Sequence, residues 1–336
     1  MTFEEIIAQA GKQEFYPIYF LHGEEPYFID KIADTVQQYA LKEEERGFNE
    51  TILYGKDTDV INLIHAAKRY PMGAPRQLII LREAQQLDKI EMLENYFEHP
   101  QPSTILVICY KYKSPDKRTK FFNALKKQKL ALIFESKKLY ENQMAQWISE
   151  HVRSRSRTID PKAAVMLVDF LGNELEKVVQ AIDKLEVVLG PSTKHITVDH
   201  VSDNIGINKE YNTFELQNAI LNKDVLKANR IVKVFAANPN EYPMPAIVSL
   251  LFSFFSKVLL FHYLPDKNNK DAVASALKIH PFFVKDYQMA ARNYKGIKVL
   301  EIISLLREYD MKSKGYGNVN ASGGELLREL VFKIMH

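Results

Sequence analysis

Residues 18–36, IYFLHGEEPYFIDKIADTV, indicate the fold of the first part of the chain. An apolar run ends at Gly23 and passes directly into an amphipathic helix, which is the arrangement in which nucleotide-binding proteins hold phosphate. A functional phosphate loop has the pattern G-x-x-x-x-G-K-[ST], which places backbone amides and a lysine on the phosphates. Here the loop contains Glu24 and Glu25, no lysine follows, and Pro26 has no N–H group to offer. The stretch therefore predicts a strand–loop–helix unit without a working phosphate loop.

A second segment of the same unit is LIILREAQQL, residues 78–87. In P-loop ATPases this strand ends in an aspartate that holds Mg²⁺ and a glutamate that orients water. Arg82 and Glu83 stand at those two places, and the fixed positive charge of Arg82 opposes a metal ion. We therefore predict a degenerate nucleotide site at Gly23, Glu24, Glu25, Arg82 and Glu83, with no catalytic residue, no cofactor and no metal.

Strand and helix patterns alternate over the first 140 residues. Apolar runs at 18–21, 51–53, 78–81, 105–109 and 130–134 are separated by helical patterns at 27–41, 58–69, 88–97 and 117–127. Continuously apolar strands that alternate with helices predict a parallel sheet covered on both faces. The helix at 58–69 is expected to be capped by Thr58 and to turn Val60, Ile61 and Ile64 inward.

The rest of the chain shows only helical periodicity and no strand signal. A group of helices begins near residue 141, and longer helices follow from residue 210. The fold class is therefore α/β plus all-α, in three domains over 1–140, 141–209 and 210–336.

The composition of the 336 residues restricts the cellular context. Hydrophobic residues make up 46% of the chain and there are only 13 glycines, which predicts a well-packed, helix-rich protein. The single cysteine, Cys109, excludes a disulfide framework and is predicted to be a core thiol. The most apolar run, 244–261, contains serines and a lysine and is predicted to be a buried helix. We expect a cytoplasmic protein that has no contact with a membrane.

Residues 111–129 form a basic run with eight Lys or Arg against one acidic residue. Such a run could follow a nucleic-acid backbone, and its net charge of +7 favours that hypothesis. The alternative is a solvated helix face whose Phe121 and Phe122 point inward. The residues taken as candidates for facing DNA are Lys111, Lys113, Lys117, Arg118 and Lys120.

The segment YPMGAPRQ, residues 70–77, interrupts the alternation with two prolines and a glycine. Pro71, Gly73 and Pro75 end the preceding helix and favour an exposed turn before the next strand. Tyr70 and Met72 are then large apolar groups on a loop, where their own domain does not bury them. The alternative is that both side chains fold back under the sheet.

Four segments, in this order, carry a family resemblance. They are YFLHGEEPYFIDKIADTV (19–36), RYPMGAPRQLIILREAQQL (69–87), LGNELEKVVQAIDKLEVVLG (171–190) with ITVDHVSDNIG (196–206), and FELQNAILNKDVLKANRIV (214–232). Together they resemble the δ subunit family of bacterial DNA polymerase III, over nearly the whole chain. The resemblance implies an AAA+-like domain without a functional P-loop, a small helical lid, and a C-terminal helical collar that joins a five-subunit ring.

The resemblance also implies a function and partners. A δ subunit binds and opens the sliding clamp (β) for loading onto primed DNA, without hydrolysing ATP itself. ATP is handled by neighbouring γ/τ subunits, which share the ring with a δ′-type subunit inside a DNA-directed DNA polymerase complex. The turn at Tyr70, Pro71, Met72 and Gly73 is the implied clamp contact. Gly73 departs from the family's usual pair of bulky residues at this place.

Two other functions stay open from the residues alone. One is a divergent AAA+ ATPase of a clamp loader, which would need a phosphate loop and a zinc-binding CxxC cluster that this sequence lacks. The other is a single-stranded DNA-binding module built on residues 111–129, which would bind DNA tightly without partners and with a steep salt dependence.

Overall fold

The computed structural model describes residues 1–205, 211–317 and 320–336, without the side chains of residues 141 and 142. The chain divides into two compact units, Met1–Leu139 and Tyr140–His336. The predicted boundary between 209 and 210 falls outside the described residues, so the three-domain division stays a prediction.

The first unit is built on a five-stranded sheet in the order β2-β3-β4-β1-β5, with every neighbouring pair parallel. Its strands are β1 (Ile18–Gly23), β2 (Glu50–Tyr54), β3 (Gln77–Arg82), β4 (Thr104–Lys111) and β5 (Ala131–Ser136). Its helices are α1 (Phe3–Gly11), α2 (Pro26–Ala40), α3 (Glu43–Asn49), α4 (Val60–Lys68), α5 (Glu94–Glu98) and α6 (Lys120–Lys127), with 3₁₀ turns at Ala84–Gln86 and Ile90–Leu93. All five predicted strands form, and the parallel α/β prediction is confirmed.

Both faces of the sheet are covered by apolar side chains. On β3, Ile79 and Leu81 pack into one core with α4 and α6, while Leu78 and Ile80 pack into the other with α1 and α2. This alternation follows from the two-residue period of a strand. Cys109 lies in the second core, where burial raises the pKa of its thiol to about 12. The prediction of a core thiol is confirmed.

The helix before the turn begins two residues later than the sequence pattern suggests. Asp59, not Thr58, is the N-cap of α4, and its Oδ1 accepts hydrogen bonds from the N–H groups of Ile61 and Asn62 at 2.9 and 2.8 Å. Leu63 is buried, whereas Ile61 is half exposed. The expectation that Ile61 points inward is therefore wrong, because the inward face of α4 is formed by Val60, Leu63 and Ala67, and Ile61 lies off that face.

Two helices of the first unit were not predicted, and one predicted helix is divided. Helix α1 begins with a capping box between Thr2 and Glu5. Helix α3 has a single large apolar residue, so its sequence shows no helical period. The pattern at 88–97 forms a 3₁₀ turn followed by the short α5.

The second unit is mainly helical. Its helices are α7 (Glu141–Ser154), α8 (Pro161–Leu171), α9 (Leu175–Leu189), α10 (Val198–Ile205), α11 (Thr213–Leu221), α12 (Val225–Ala237), α13 (Met244–Tyr263), α14 (Lys270–Leu277), α15 (Val284–Asn293), α16 (Gly296–Ser313) and α17 (Gly323–Met335), with a 3₁₀ turn at Pro281–Phe283. Helices α11 to α17 share one apolar core. A short parallel pair, β6 (Thr158–Ile159) and β7 (His195–Ile196), corrects the expectation of no strand in this region.

Helix α13 is the most apolar helix in the described part of the chain. It has 20 residues, and by length and composition it could cross a membrane. Core helices pass the same test, and Ile247, Leu251 and Phe255 of α13 lie in the core of the second unit. Phe252, Leu260 and Tyr263 are exposed, so the predicted buried helix is buried on one side only.

Candidate interaction sites at the two edges of the sheet

The loop between β1 and α2 is closed by contacts within the chain. Gly23 has a φ of +137°, and a Cβ at this position would overlap the carbonyl oxygen of Ser136. The next N–H, of Glu24, donates to that oxygen at 2.9 Å, and Ser136 Oγ donates to the carbonyl of Glu25 at 2.6 Å. Glu25 is buried and is the N-cap of α2, where its carboxylate accepts from the N–H of Tyr27 at 3.2 Å. A carboxylate therefore occupies the helix terminus that would face a phosphate in a nucleotide site.

An ion network lies at the same, carboxyl-terminal edge of the sheet. Arg82 ends β3 and forms salt bridges with Asp34 at 2.7 Å and Asp30 at 3.3 Å, both on α2. Lys111 ends β4 and forms salt bridges with Asp30 at 2.8 Å and Glu83 at 3.1 Å. The network joins three elements around the place where a nucleotide and its metal would bind.

The charges of this network compensate one another. Burial disfavours the charged forms of both cations, but hydrogen bonds and charges from the carboxylates outweigh it. Asp34 and Asp30 raise the pKa of Arg82, and Asp30 and Glu83 raise the pKa of Lys111. Arg82 stands at the position of the metal-binding aspartate of P-loop ATPases and Lys111 lies beside it in the network, so these residues do not fit a magnesium–nucleotide complex. Within the described ranges, no group of three or more His, Cys, Asp or Glu residues could hold a metal ion.

The basic run is divided by the fold. Lys111 is only 8% exposed and belongs to the ion network, so the structure does not place it on a DNA-facing surface. Phe121, Phe122 and Leu125 pack into the core beneath α6, as the solvated-face interpretation predicted. The other four candidate cations are exposed; they are Lys113, Lys117, Arg118 and Lys120.

Three of these exposed cations have neighbours that restrain them. Lys117 pairs with Glu135 at 3.0 Å and Arg118 with Asp116 at 2.9 Å. The ammonium of Lys113 lies 5.5 Å from the ring centroid of Tyr110. The two ion pairs reduce the positive field of this surface, although exposed pairs of this kind exchange readily with other anions.

The opposite, amino-terminal edge of the sheet carries the turn between α4 and β3. Tyr70 is 78% exposed and Met72 is 62% exposed, so burial under the sheet, the alternative interpretation, is wrong. Gly73 has a φ of +65°, and no atom lies within 4 Å of an added Cβ. The glycine is therefore required by the backbone conformation of the turn and not by crowding.

A buried asparagine holds the centre of this turn. The N–H of Met72 donates to Asn49 Oδ1 at 2.7 Å, and Asn49 Nδ2 donates to the carbonyl of Met72 at 3.0 Å. The same Nδ2 donates to the carbonyl of Glu45 at 3.0 Å. Asn49 is only 2% exposed, so these bonds are shielded from water.

A second buried amide holds the ends of the turn. Gln77 begins β3, and its Nε2 donates to the carbonyls of Arg69 at 2.7 Å and Ala66 at 3.1 Å. It also donates to Thr104 Oγ1 at 2.8 Å, and that hydroxyl donates to the carbonyl of Ala67 at 2.8 Å. Sequence reasoning missed Asn49 and Gln77, because polar residues of this type are usually exposed and their partners are distant in the chain.

These features define an AAA+-like parallel-sheet unit whose nucleotide edge is closed and whose opposite edge presents an apolar turn. The model of the family described as DNA polymerase III, delta subunit, matches residues 19–137, and that of its C-terminal domain matches residues 210–327. The chain is 29% identical over 317 residues to DNA polymerase III subunit delta of Bacillus subtilis, covering 90% of this chain and 89% of that protein. A solved Bacillus subtilis DNA clamp loader delta protein matches with a TM-score of 0.54 and 25% identity over 99% of both chains.

The chain therefore belongs to the family of DNA polymerase III delta subunits, and its role is in clamp loading during DNA replication. The resemblance drawn from the four sequence segments is confirmed.

Proposed function

We propose that this protein binds the ring-shaped sliding clamp through the turn at Tyr70, Pro71, Met72 and Gly73 and holds one clamp interface open. The observation on which this rests is the exposure of two large apolar side chains, Tyr70 and Met72, on a turn whose backbone is already fixed. An apolar anchor on a preorganised backbone loses little entropy when it binds. Tyrosine is among the residues that most often dominate an interface.

Clamp opening of this kind needs no covalent chemistry in the chain. A subunit that binds the open ring more tightly than the closed ring shifts the equilibrium by the ratio of the two affinities. The opened clamp is then placed on primed DNA within the complex.

We propose further that the chain is a non-catalytic subunit of the polymerase complex and neither binds nor hydrolyses ATP. The carboxylate of Glu25 at the start of α2 and the cations Arg82 and Lys111 support this proposal. ATP is then handled by neighbouring γ/τ-type subunits of the loader. Saturable binding of ATP to the isolated protein at micromolar concentration, measured by calorimetry, would contradict it and favour the divergent ATPase.

The helical region from 210 onward is proposed as the collar that joins these ATPases and a δ′-type subunit in a five-subunit ring. Exposed apolar side chains at the end of α13 and the start of α16 support this role; they are Leu260, Tyr263 and Ile297. His262 Nε2 and the carbonyl of Tyr294 are 2.9 Å apart, which ties α13 to the chain just before α16. We propose that the protein joins these partners in the cytoplasm.

The exposed cations Lys113, Lys117, Arg118 and Lys120 are proposed as the DNA-facing residues of the first unit, and Lys111 is withdrawn from that group. The ion pairs of Lys117 and Arg118 favour weak contacts inside the complex over an independent DNA-binding module. Tight, steeply salt-dependent binding of the isolated protein to single-stranded DNA would contradict this assignment.

The test of the clamp contact is the double substitution Tyr70→Ala with Met72→Ala. Loss of both anchors should weaken clamp binding by more than about 2 kcal/mol, roughly thirtyfold in affinity, and stop clamp opening. Thermal unfolding and assembly with the loader ATPases should stay unchanged, because neither side chain is buried. If the variant binds the clamp like the parent, the contact lies elsewhere on the molecule.

A further inference from the structure

We infer that Asn49 is a positioning residue for the clamp contact, which it serves by fixing the backbone of Met72. The inference rests on the proposed function, because it concerns the same turn. Asn49 does not itself lie at the exposed surface, since 98% of it is covered by the protein. Its effect on a partner is therefore exerted through the turn.

The geometry around Met72 resembles that of a paired strand residue. The side-chain amide of Asn49 accepts from the N–H of Met72 and donates to the carbonyl of the same residue, at 2.7 and 3.0 Å. Both backbone polar groups of Met72 are thereby satisfied by a single side chain. The backbone of Met72 is therefore bonded at both its N–H and its carbonyl, as the backbone of a hydrogen-bonded strand residue is.

The position of Asn49 in the fold makes this restraint rigid. It is the last residue of α3 and directly precedes β2, which pairs with β3 in the register Glu50 with Leu78. Its Nδ2 also donates to the carbonyl of Glu45 one turn earlier in α3. The turn is therefore tied to a helix end and a sheet edge, while Gln77 ties its other end to β4.

An amide is the functional group that this position requires. The site needs one acceptor for the N–H of Met72 and a donor for two carbonyl oxygens, and an asparagine side chain supplies both. An aspartate has nearly the same shape but, when ionised, only accepts, so it retains the bond to the N–H and loses both donations. Alanine loses all three bonds.

The first predictions of this inference concern hydrogen exchange at a single amide. In the parent protein the N–H of Met72 should exchange slowly although its side chain is exposed. Asn49→Ala should remove this protection, whereas Asn49→Asp should retain it, since the acceptor is kept. If Asn49 only filled space, Asn49→Leu, which keeps the branched shape but has no acceptor, would also retain the protection; we expect Asn49→Leu to lose it.

Clamp affinity is the functional measurement. Asn49→Ala, with Tyr70 and Met72 intact, should bind the clamp about tenfold more weakly, because the anchors must be ordered during binding. Asn49→Asp should bind with an affinity between that of Asn49→Ala and the parent. The control is Asn293→Ala, which removes a half-buried asparagine that likewise donates to a distant carbonyl, that of Leu221 at 2.7 Å, and it should leave clamp affinity unchanged.

Several outcomes overturn the inference. Fast exchange of the Met72 amide in the parent does so without any variant, and so does parent-like clamp affinity of Asn49→Ala. If Asn49→Ala fails to fold, the isosteric Asn49→Asp is measured in its place. Fast exchange of its Met72 amide, or clamp affinity equal to that of the parent, would then contradict the inference. The clamp affinity of the Tyr70 and Met72 double variant is measured in the same series. If that variant fails to bind while Asn49→Ala binds normally, the positioning role of Asn49 is wrong and the proposed clamp contact stands. If the double variant binds normally, the proposed contact falls and the inference with it.

Discussion

The two edges of the sheet in the first unit are held in opposite ways. At the carboxyl edge, charged groups close the structure: Arg82 and Lys111 are bound by carboxylates of α2 and of the residue after β3. At the amino edge, the neutral amides of Asn49 and Gln77 hold an open apolar turn. Parallel sheets usually bind ligands at the carboxyl edge. In this chain that edge is filled by its own side chains, and the surface available to a partner lies at the other edge.

The two edges should respond differently to pH, to salt and to substitution. Charged contacts depend on pH and, where they are exposed, on salt, whereas amide–backbone hydrogen bonds do not titrate. Substitutions at the carboxyl edge should therefore change the stability of the first unit and leave clamp binding intact. Substitutions at the amino edge should lower clamp affinity, whether or not they also lower stability.

The largest expected effect on stability is that of Lys111→Met. The variant keeps most of the side-chain volume but leaves Asp30 and Glu83 without this cation, so the first unit should lose about 2 kcal/mol of unfolding free energy. Because Arg82 still binds Asp30 and the carboxylates are partly exposed, the loss should be at the low end for a broken ion pair. Hydrogen exchange of the β3 amides is the appropriate measurement, since the only tryptophan, Trp147, lies in the second unit.

The matched control for this variant is Lys113→Met, two residues further along. Lys113 is exposed and no salt bridge is formed by it within the described part of the chain, so its replacement should change stability by less than about 0.5 kcal/mol. Both variants should bind the clamp like the parent. Loss of clamp affinity in Lys111→Met alone would mean that the two edges are coupled.

At the amino edge, Gly73→Ala tests the turn without removing an anchor. A φ of +65° is unfavourable for alanine, so the substitution should cost about 1 kcal/mol or shift the turn, although the space around it is open. Clamp affinity should fall while Tyr70 and Met72 remain. Gly47→Ala in α3 is the control, because Gly47 has no positive φ and open space, and alanine favours a helix. Equal clamp affinity of both variants would argue against a conformational requirement at Gly73.

The sequence predicted most of the framework on which these two edges lie. Continuously apolar runs located all five strands, because strands covered on both faces contain little else. The prolines and glycine at 71–75 predicted the exposed turn, and the carboxylates at Glu24 and Glu25 predicted a loop unsuited to phosphate. These features depend on residues that are neighbours in the chain.

What the sequence did not predict depends on contacts between distant residues. Lys111 is the first residue of the basic run and so is predicted to be exposed with the other cations, but its position at the end of β4 brings it to Asp30 and Glu83. Nothing near Asp30 and Asp34 in the chain indicates their partner Arg82, which lies about 50 residues away. Asn49 sits at the end of a helix without apolar periodicity, so nothing local indicated that it is buried against Met72.

A smaller effect is expected at the carboxyl edge from Glu25→Ala. The substitution removes the N-cap of α2, which should lower the unfolding free energy by about 1 kcal/mol. Removing the carboxylate should not create an ATP site, since Pro26 still lacks an N–H and Arg82 stays in place. Glu24→Ala is the control, because Glu24 is exposed and does not cap the helix. Calorimetry that detects ATP binding to Glu25→Ala would show that one carboxylate alone closes the site.

The smallest expected effect is a pH dependence that arises only at the carboxyl edge. His22 on β1 is 1% exposed and its Nδ1 lies 3.2 Å from Ser114 Oγ. Burial lowers the pKa of His22, and the nearby Lys117 adds to this while Glu135 opposes it. The folded protein therefore takes up this proton at a lower pH than the unfolded chain, whose histidine titrates at about 6.5. The first unit should lose stability below that pH, by less than about 1 kcal/mol at pH 6.

The substitution His22→Asn should remove this slope between pH 7.5 and pH 5.5, while Asn49→Ala should retain it, because no titrating group was removed. The comparison is made between variants, since burial also lowers the pKa of His280 in the second unit. Hydrogen exchange of the β1 and β3 amides at several pH values, corrected for the intrinsic exchange rate, measures the slope for the first unit alone. A slope that persists unchanged in His22→Asn would show that another group of the first unit titrates. A slope lost in Asn49→Ala would show that the amino edge also depends on charge.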